Sequence, residues 1–273
     1  MRRLIVGLIS LLTIAACGSG TDAPNDSGKS PSGAVNAAFI KYTDSLPTVE
    51  VTHDGLPKAP KPFDADDVKI FADEVERILQ RSVSNDVATL SPGDAVSAVT
   101  TEQFDDTIYA MRRDMAEAYG DHHWEWNVAS RFDQTQSEPP RIVKVTWKVE
   151  ARDPEDNDTP DDILYVTLQA HVVQTIGKGK DRNTFLTRRT IGLSGYRPGG
   201  GPDWWPYLSM TSHPYGNLAC PLYTDALLVP QTDAAAMASD LAGAKVSMAE
   251  KSIIDEQWPT VAEVNKRAEG SCA

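Results

Sequence analysis

From Asp64 to Leu79 the apolar residues recur at helical spacing. Val68, Phe71, Val75, Ile78 and Leu79 fall on one face, and Asp64, Asp66 and Asp67 gather at the start, where the positive end of a helix dipole favours acids. A second helix is predicted from about Thr100 to Gly120. Thr100 and Gln103 match a capping box, and Phe104, Ile108, Met111 and Met115 mark a buried stripe. Between the two, Ser91-Pro92 predicts a short helical turn with proline at its first position. After Gly120 the period changes from nearly four to two. Trp124, Trp126, Val128 and Phe132 alternate with Glu125, Asn127 and Arg131, and Val143, Val145, Trp147 and Val149 alternate with Lys144, Thr146, Lys148 and Glu150. Leu164, Val166, Leu168, Ala170 and Val172 follow, then Phe185 to Leu193 and a weaker run from Tyr207 to His213. These runs predict successive antiparallel strands, each with one buried face. Helix-forming stretches near Thr232–Ala244 and Thr260–Glu269 close the chain.

Helices followed by long antiparallel strands predict an α+β domain with its N-terminal helices packed on a curved sheet. That element order, over about residues 64–215, resembles the cone-shaped NTF2-like fold, in which N-terminal helices line the concave face of a bent sheet. The resemblance implies a cavity that holds a small apolar ligand, or one that houses an enzyme with His123, His171 or an acidic residue as base. The expected organisation is a single α+β domain over 34–273, helical at 64–120, with the sheet at 123–215 and a helical tail at 231–273.

The segment before residue 34 has a different character. Arg2 and Arg3 precede a short, mostly apolar run from Leu4 to Ala16, and Cys17 follows two alanines. This is a secretory signal with a small-residue cleavage site. Crossing the hydrocarbon core takes roughly 20 apolar residues, more than this run supplies before Gly18-Ser19-Gly20. Ile14-Ala15-Ala16-Cys17 resembles the bacterial lipobox, whose cysteine is lipidated and becomes the first mature residue. Ile14 stands where that family most often has leucine. The overall composition, rich in Ala, Asp, Val and Arg, resembles that of actinobacterial lipoproteins. The resemblance implies a signal peptide over 1–16, acyl chains on Cys17 and attachment to the cell membrane at its extracytoplasmic face. Plain secretion and a buried N-terminal helix are the alternatives. Residues 18–33 lack large apolar side chains and read as a flexible spacer, so the lipidated cysteine and linker span 17–33.

Charge and cysteine count narrow the function. The formal net charge is −13 with Lys and Arg scattered, which excludes nucleic acid as a partner. Hydrophobic residues make up 41% of the chain and include six tryptophans, enough for a real core. With Cys17 assigned to lipid, Cys220 and Cys272 remain, and an exported pair is expected to bridge. Closing a loop of about fifty residues stabilises by roughly 4 kcal/mol in the chain-entropy picture.

Candidate chemistry is sparse. In a strand, His123 and Glu125 would share a face, a pairing suited to proton transfer or metal binding, but no HExxH or HxH pattern accompanies it. The acidic stretch Asp153–Asp162 lacks the central glycine and terminal glutamate of a calcium loop and reads as a solvated hairpin tip. The glycine-rich loop from Arg197 to Pro206 ends in Trp204 and Trp205, a candidate contact surface, with core capping as the rival reading. Its glycines are not followed by the Lys-Ser/Thr of a phosphate loop, and no GxSxG elbow or other nucleophile motif is present. No cofactor or metal motif stands out. The expectation is a non-enzymatic binding or accessory module of the cell envelope, with an envelope protein or a small apolar molecule as partner. Cys17→Ala is expected to abolish acylation and move the protein from the detergent phase to the aqueous phase on partitioning; a variant still wholly in the detergent phase would overturn the lipobox assignment.

Overall fold

The computed structural model describes residues 31–100, 105–152, 162–197, 204–253 and 260–272. The signal segment with Cys17, the linker up to residue 30, Gln103 of the expected capping box, most of the acidic stretch and the glycine-rich part of the 197–206 loop lie outside them. Among the described residues, eight α-helices and four strands follow one another as α1 (Pro31–Ser45), α2 (Ala65–Ser82), α3 (Asn85–Ala88), α4 (Pro92–Val99), α5 (Asp105–Tyr119), β1 (Arg141–Arg152), β2 (Ile163–Ile176), β3 (Asn183–Tyr196), β4 (Trp205–Tyr215), α6 (Ala219–Asp225), α7 (Ala234–Ala249) and α8 (Val261–Cys272). The class is α+β. The strands form an open antiparallel meander in the order β1-β2-β3-β4.

Local signals account for the helix ends. Asp64 accepts hydrogen bonds from the Asp66 and Asp67 amides, and the Asp67 carboxylate accepts the Asp64 amide in return, so α2 starts with a reciprocal cap. Ser91 caps α4 with Pro92 at the first helical position, and Asp233 caps α7. Thr100 does not open a helix; it ends α4, with its hydroxyl donating to Val96 O. The helix α1 begins at Pro31, inside the predicted linker, and α6 carries no sequence signal that the periodicity exposes.

The two sheet faces are both covered, which corrects the expectation of helices on one side. Leu164, Val166, Leu168, Ala170 and Val172 of β2 join Ile191, Leu193, Leu208 and Met210 on the face that α2, α4 and α5 cover with Val68, Phe71, Val75, Val96, Met111 and Met115. Burying each of these large side chains is worth about 1.5–3 kcal/mol. On the opposite face, at one end of the sheet, Val173, Leu186 and Tyr215 meet Phe39 of α1 and Met237 and Ala244 of α7. A bulge between Ile142 and Lys144 delivers Val143 to this second cluster. Trp147 faces the first cluster, and its indole N–H donates to Thr52 O.

The expected strand at 123–132 does not exist. After α5 ends at Gly120 the chain makes a 3₁₀ turn at Glu125–Asn127 and then a buried strap. Its amides bond to helix ends rather than to a strand: Ser130 N to Ser82 O and Phe132 N to Ala88 O, while Arg131 O accepts Leu228 N. The alternating pattern arises because Trp126 and Phe132 join a cluster with Tyr119, Phe185, Leu222 and Tyr223 and Val128 joins the first core, while the intervening Asn127 and Arg131 are buried too, with their side chains spent on hydrogen bonds. The sheet therefore starts at Arg141.

Each sheet edge is blunted. The stretch before α2 lies against β1, with Val49 N donating to Ile142 O and Arg141 donating to the Thr43 and Leu46 carbonyls. On β4 the Ser212 amide is taken by the Asn127 side chain, and Pro206 and Pro214 have no amide to offer.

Gly216, which follows β4, has φ +79°, and a Cβ there would stand 3.0 Å from the Phe39 ring and 3.1 Å from Thr184 O. Gly179 also has positive φ, at +59°, but a Cβ would meet nothing within 4 Å. Alanine at Gly179 is expected to cost about 1 kcal/mol from backbone strain alone. Alanine at Gly216 is expected to cost about 2–4 kcal/mol because overpacking adds to the strain. Chemical-denaturation midpoints of the two variants check this; equal losses would refute the packing account.

Candidate functional site

The sequence-predicted residues are dispersed. Cys17 lies outside the described residues. Cys220 sits in the first turn of α6 and Cys272 closes α8. His123 Nδ1 lies 3.0 Å from Glu125 Oε2, so the two do share a side, but across the 3₁₀ turn rather than along a strand. The same carboxylate oxygen accepts the Trp124 amide, and the His123 amide donates to Tyr223 O. The pair thus fastens the turn to α6. Among the described residues no cluster of three metal-ligating side chains occurs.

The two adjacent tryptophans divide. Trp204 packs on Phe71 at 4.7 Å between ring centroids and on Phe63 at 5.9 Å, beneath the Arg197 guanidinium at 4.4 Å. Arg197 is held in turn by Asp67 at 2.6 Å. Trp205 points the other way, 61% exposed, against Tyr196 at 5.8 Å. Core capping and surface display are both realised, one by each ring.

His171 is buried at 1% exposure. It belongs to a row of four basic side chains that crosses every strand, Lys144, His171, Arg188 and His213. Like charges in register repel. The C-terminal end of α7 lies against this row and answers the repulsion: Lys144 Nζ donates to the Ser247, Met248 and Glu250 carbonyls, at the negative end of the helix dipole. Ser247 Oγ lies 2.7 Å from His171 Nε2 and accepts Arg188 Nη1 at 3.2 Å. The geometry superficially matches a serine–histidine nucleophile pair. Burial, with the charges of Lys144 and Arg188 beside it, pulls the His171 pKa down to about 3, and its Nδ1 meets no orienting carboxylate. Both side chains are closed off from solvent, so the pair locks α7 to the sheet rather than attacking a substrate.

The feature that sequence reading missed is a cleft of about 520 Å³ along the outer edge of β4 at Thr211–Pro214. Its size suits a small ligand, for which clefts of about 300–1,000 Å³ are usual. Tyr119 of α5, Trp126 of the 3₁₀ turn and Tyr223 of α6 form aromatic walls, with Trp126 meeting Tyr119 and Tyr223 edge-to-face at 6.2 and 6.1 Å. Asp240 of α7 and Arg267 of α8 also line it. The floor is rigid. Asn127 donates to Tyr119 Oη and Trp124 O, accepts the Ser212 amide with its side chain, and accepts Ser212 Oγ and the Arg189 guanidinium with its carbonyl. Arg189 is the largest fully buried side chain, and burial lowers its pKa to about 9, so it stays charged at neutral pH. Its second nitrogen reaches Ser130 Oγ at 2.8 Å. Asp240 accepts the Gly216 and Asn217 amides, yet desolvation outweighs them and pushes its carboxyl above the usual range. The individual wall residues were visible in the sequence; their convergence from five separate elements was not.

No family model, curated protein or solved structure matches this chain.

The His171 environment has a measurable signature. Its folded pKa is lowered, so the associated stability is full above the ordinary value of 6.5 and drains away as pH falls toward 3. The slope is about 1.4 kcal/mol per pH unit, or about 2 kcal/mol between pH 6.5 and 4.5. In urea titrations at those two pH values, His171→Gln is expected to lose about 2 kcal/mol less stability than the unaltered protein; an identical pH dependence would refute the assignment.

Proposed function

We propose that this protein is a non-enzymatic ligand-binding module of the cell envelope, tethered at the extracytoplasmic membrane face through Cys17. The observation that carries the reading is the β4-edge cleft, aromatic-walled and open, on whose floor the Asn127 side chain and the Ser212 amide are already paired. A floor held by such bonds suits binding, because Asn127 and Ser212 are fixed in place before a molecule arrives. The capped β4 edge further favours a small molecule over a peptide added as a fifth strand. The linker supplies reach from the membrane to the domain. Bridging of Cys220 to Cys272 is part of the proposal. The helix α6 packs on α8, and Cys220 is engaged rather than free. Such a bridge would fix the two helices that flank the cleft. An NTF2-like relation is retained as a proposal for the layer of α2, α4 and α5 on the sheet, supported by helices preceding an antiparallel meander.

A second reading, docking of an envelope protein, is favoured by the exposed Trp205 alone. Native mass spectrometry of the protein extracted gently from its own envelope separates the two. A bound small molecule is expected on the unaltered protein and on Trp205→Ala alike. An unliganded protein that carries a second protein, lost in Trp205→Ala, would overturn the small-molecule reading.

A further inference from the structure

The chemistry of the β4-edge cleft narrows its ligand, on the reading that the cleft is a binding site. Asp240 is a half-buried carboxylate whose protein partners are two backbone amides; no cationic side chain contributes to its environment. A carboxylate taken part-way out of water without a counter-charge is an unfavourable arrangement that a bound cation relieves. Tyr119, Trp126 and Tyr223 stand around the same cavity. Aromatic rings offer a cation the negative potential of their faces and offer an attached apolar body a surface to pack on. The other ionisable side chains at the cleft are the His213 ring, which packs on Tyr215, and Arg267, exposed on α8, where it lies close enough to Glu263 to lower the pKa of that carboxyl. Arg267 therefore sits at the rim, balanced by an acid on its own helix, and neither it nor His213 contributes to the environment of Asp240. The field of the whole protein points the same way: a net charge of −13 draws cations toward the surface and repels anions.

We propose that the cleft takes an organic cation, an ammonium or guanidinium group carried on an apolar or aromatic body, with Asp240 as its counter-ion and Trp126, Tyr119 and Tyr223 around the body. Asp240 binds this ligand directly, and the amides of Gly216 and Asn217 hold the carboxylate in place. The aromatic walls alone would accept a neutral ring equally well; the acid supplies the discrimination.

The test uses the full chain labelled with nitrogen-15 at tryptophan and three one-ring probes at neutral pH: benzylamine, benzyl alcohol and phenylacetate. The Trp126 indole signal, assigned by its loss in Trp126→Phe, is followed as each is titrated. Benzylamine is expected to shift it saturably, with the alcohol at least tenfold weaker and phenylacetate weaker still. In Asp240→Asn the benzylamine affinity is expected to fall at least tenfold while the other indole signals keep their positions, which shows that the fold is intact. Comparable shifts from the alcohol or from phenylacetate would overturn the cation assignment and leave the cleft standing as a binding site. Undiminished benzylamine binding in Asp240→Asn would do the same. If none of the three moves Trp126, the cation assignment falls. If the protein from its own envelope also carries no small molecule, the binding-module reading falls with it.

Discussion

The arrangement of this domain depends on a buried guanidinium. Arg189 projects from the middle of β3 into the layer between sheet and helices and meets no carboxylate there; its partners are the Asn127 carbonyl and the Ser130 hydroxyl. An ion taken out of water this completely is tolerable only when its donors are met by fixed acceptors. The strap at residues 127–132 supplies acceptors for both terminal nitrogens, leaving Nε unpaired, and it is held in turn by the ends of α2 and α3 and by the segment after α6. Arg131 reinforces the join, donating to Leu90 O and Asp225 O. One charge thus obliges four separate parts of the chain to meet.

The cleft is a consequence of that junction. Asn127, fixed from below by Arg189, caps the β4 amide at Ser212 and positions the 3₁₀ turn from which Trp126 forms a wall. The helices α6, α7 and α8 then close around the exposed edge, α7 secured by the row of basic side chains and α6 by its packing on α8. The site lies at the seam between two hydrophobic clusters, where packing from two directions leaves a gap. Sites at such seams inherit rigidity from both sides, and this favours pre-organised binding over chemistry that needs a mobile, reactive group.

Legibility in the sequence followed the range of the interactions. The helices α2, α4, α7 and α8 were readable because their signals are local: a stripe at helical spacing on Val68–Leu79 with acids from Asp64 at its start, a serine-proline start at Ser91, and helix-forming stretches at 232–244 and 260–269. The strands β1 to β4 were readable from alternation. The same alternation misled at 124–132, because Asn127 and Arg131, which read as the outward face of a strand, are buried polar side chains that bond to backbone while the strap's amides bond elsewhere. Trp204 and Trp205 could be paired with core or surface only once the direction of β4 was known, since adjacent residues on a strand face opposite ways. His171 illustrates the same point: its face was predictable, but the helix that buries it comes from far along the chain.

The sequence by itself determined the class of the domain, the positions of most helices and strands and the strong negative charge, because each rests on composition or on spacing within a few residues. Only the tertiary structure decided that helices cover both faces of the sheet, that His171 and Ser247 form a sealed lock, and that Trp126, Tyr223 and Asp240 share one cleft. Those outcomes turn on contacts between segments tens of residues apart, which form where surfaces fit and buried charges find acceptors, and no local pattern encodes that fit.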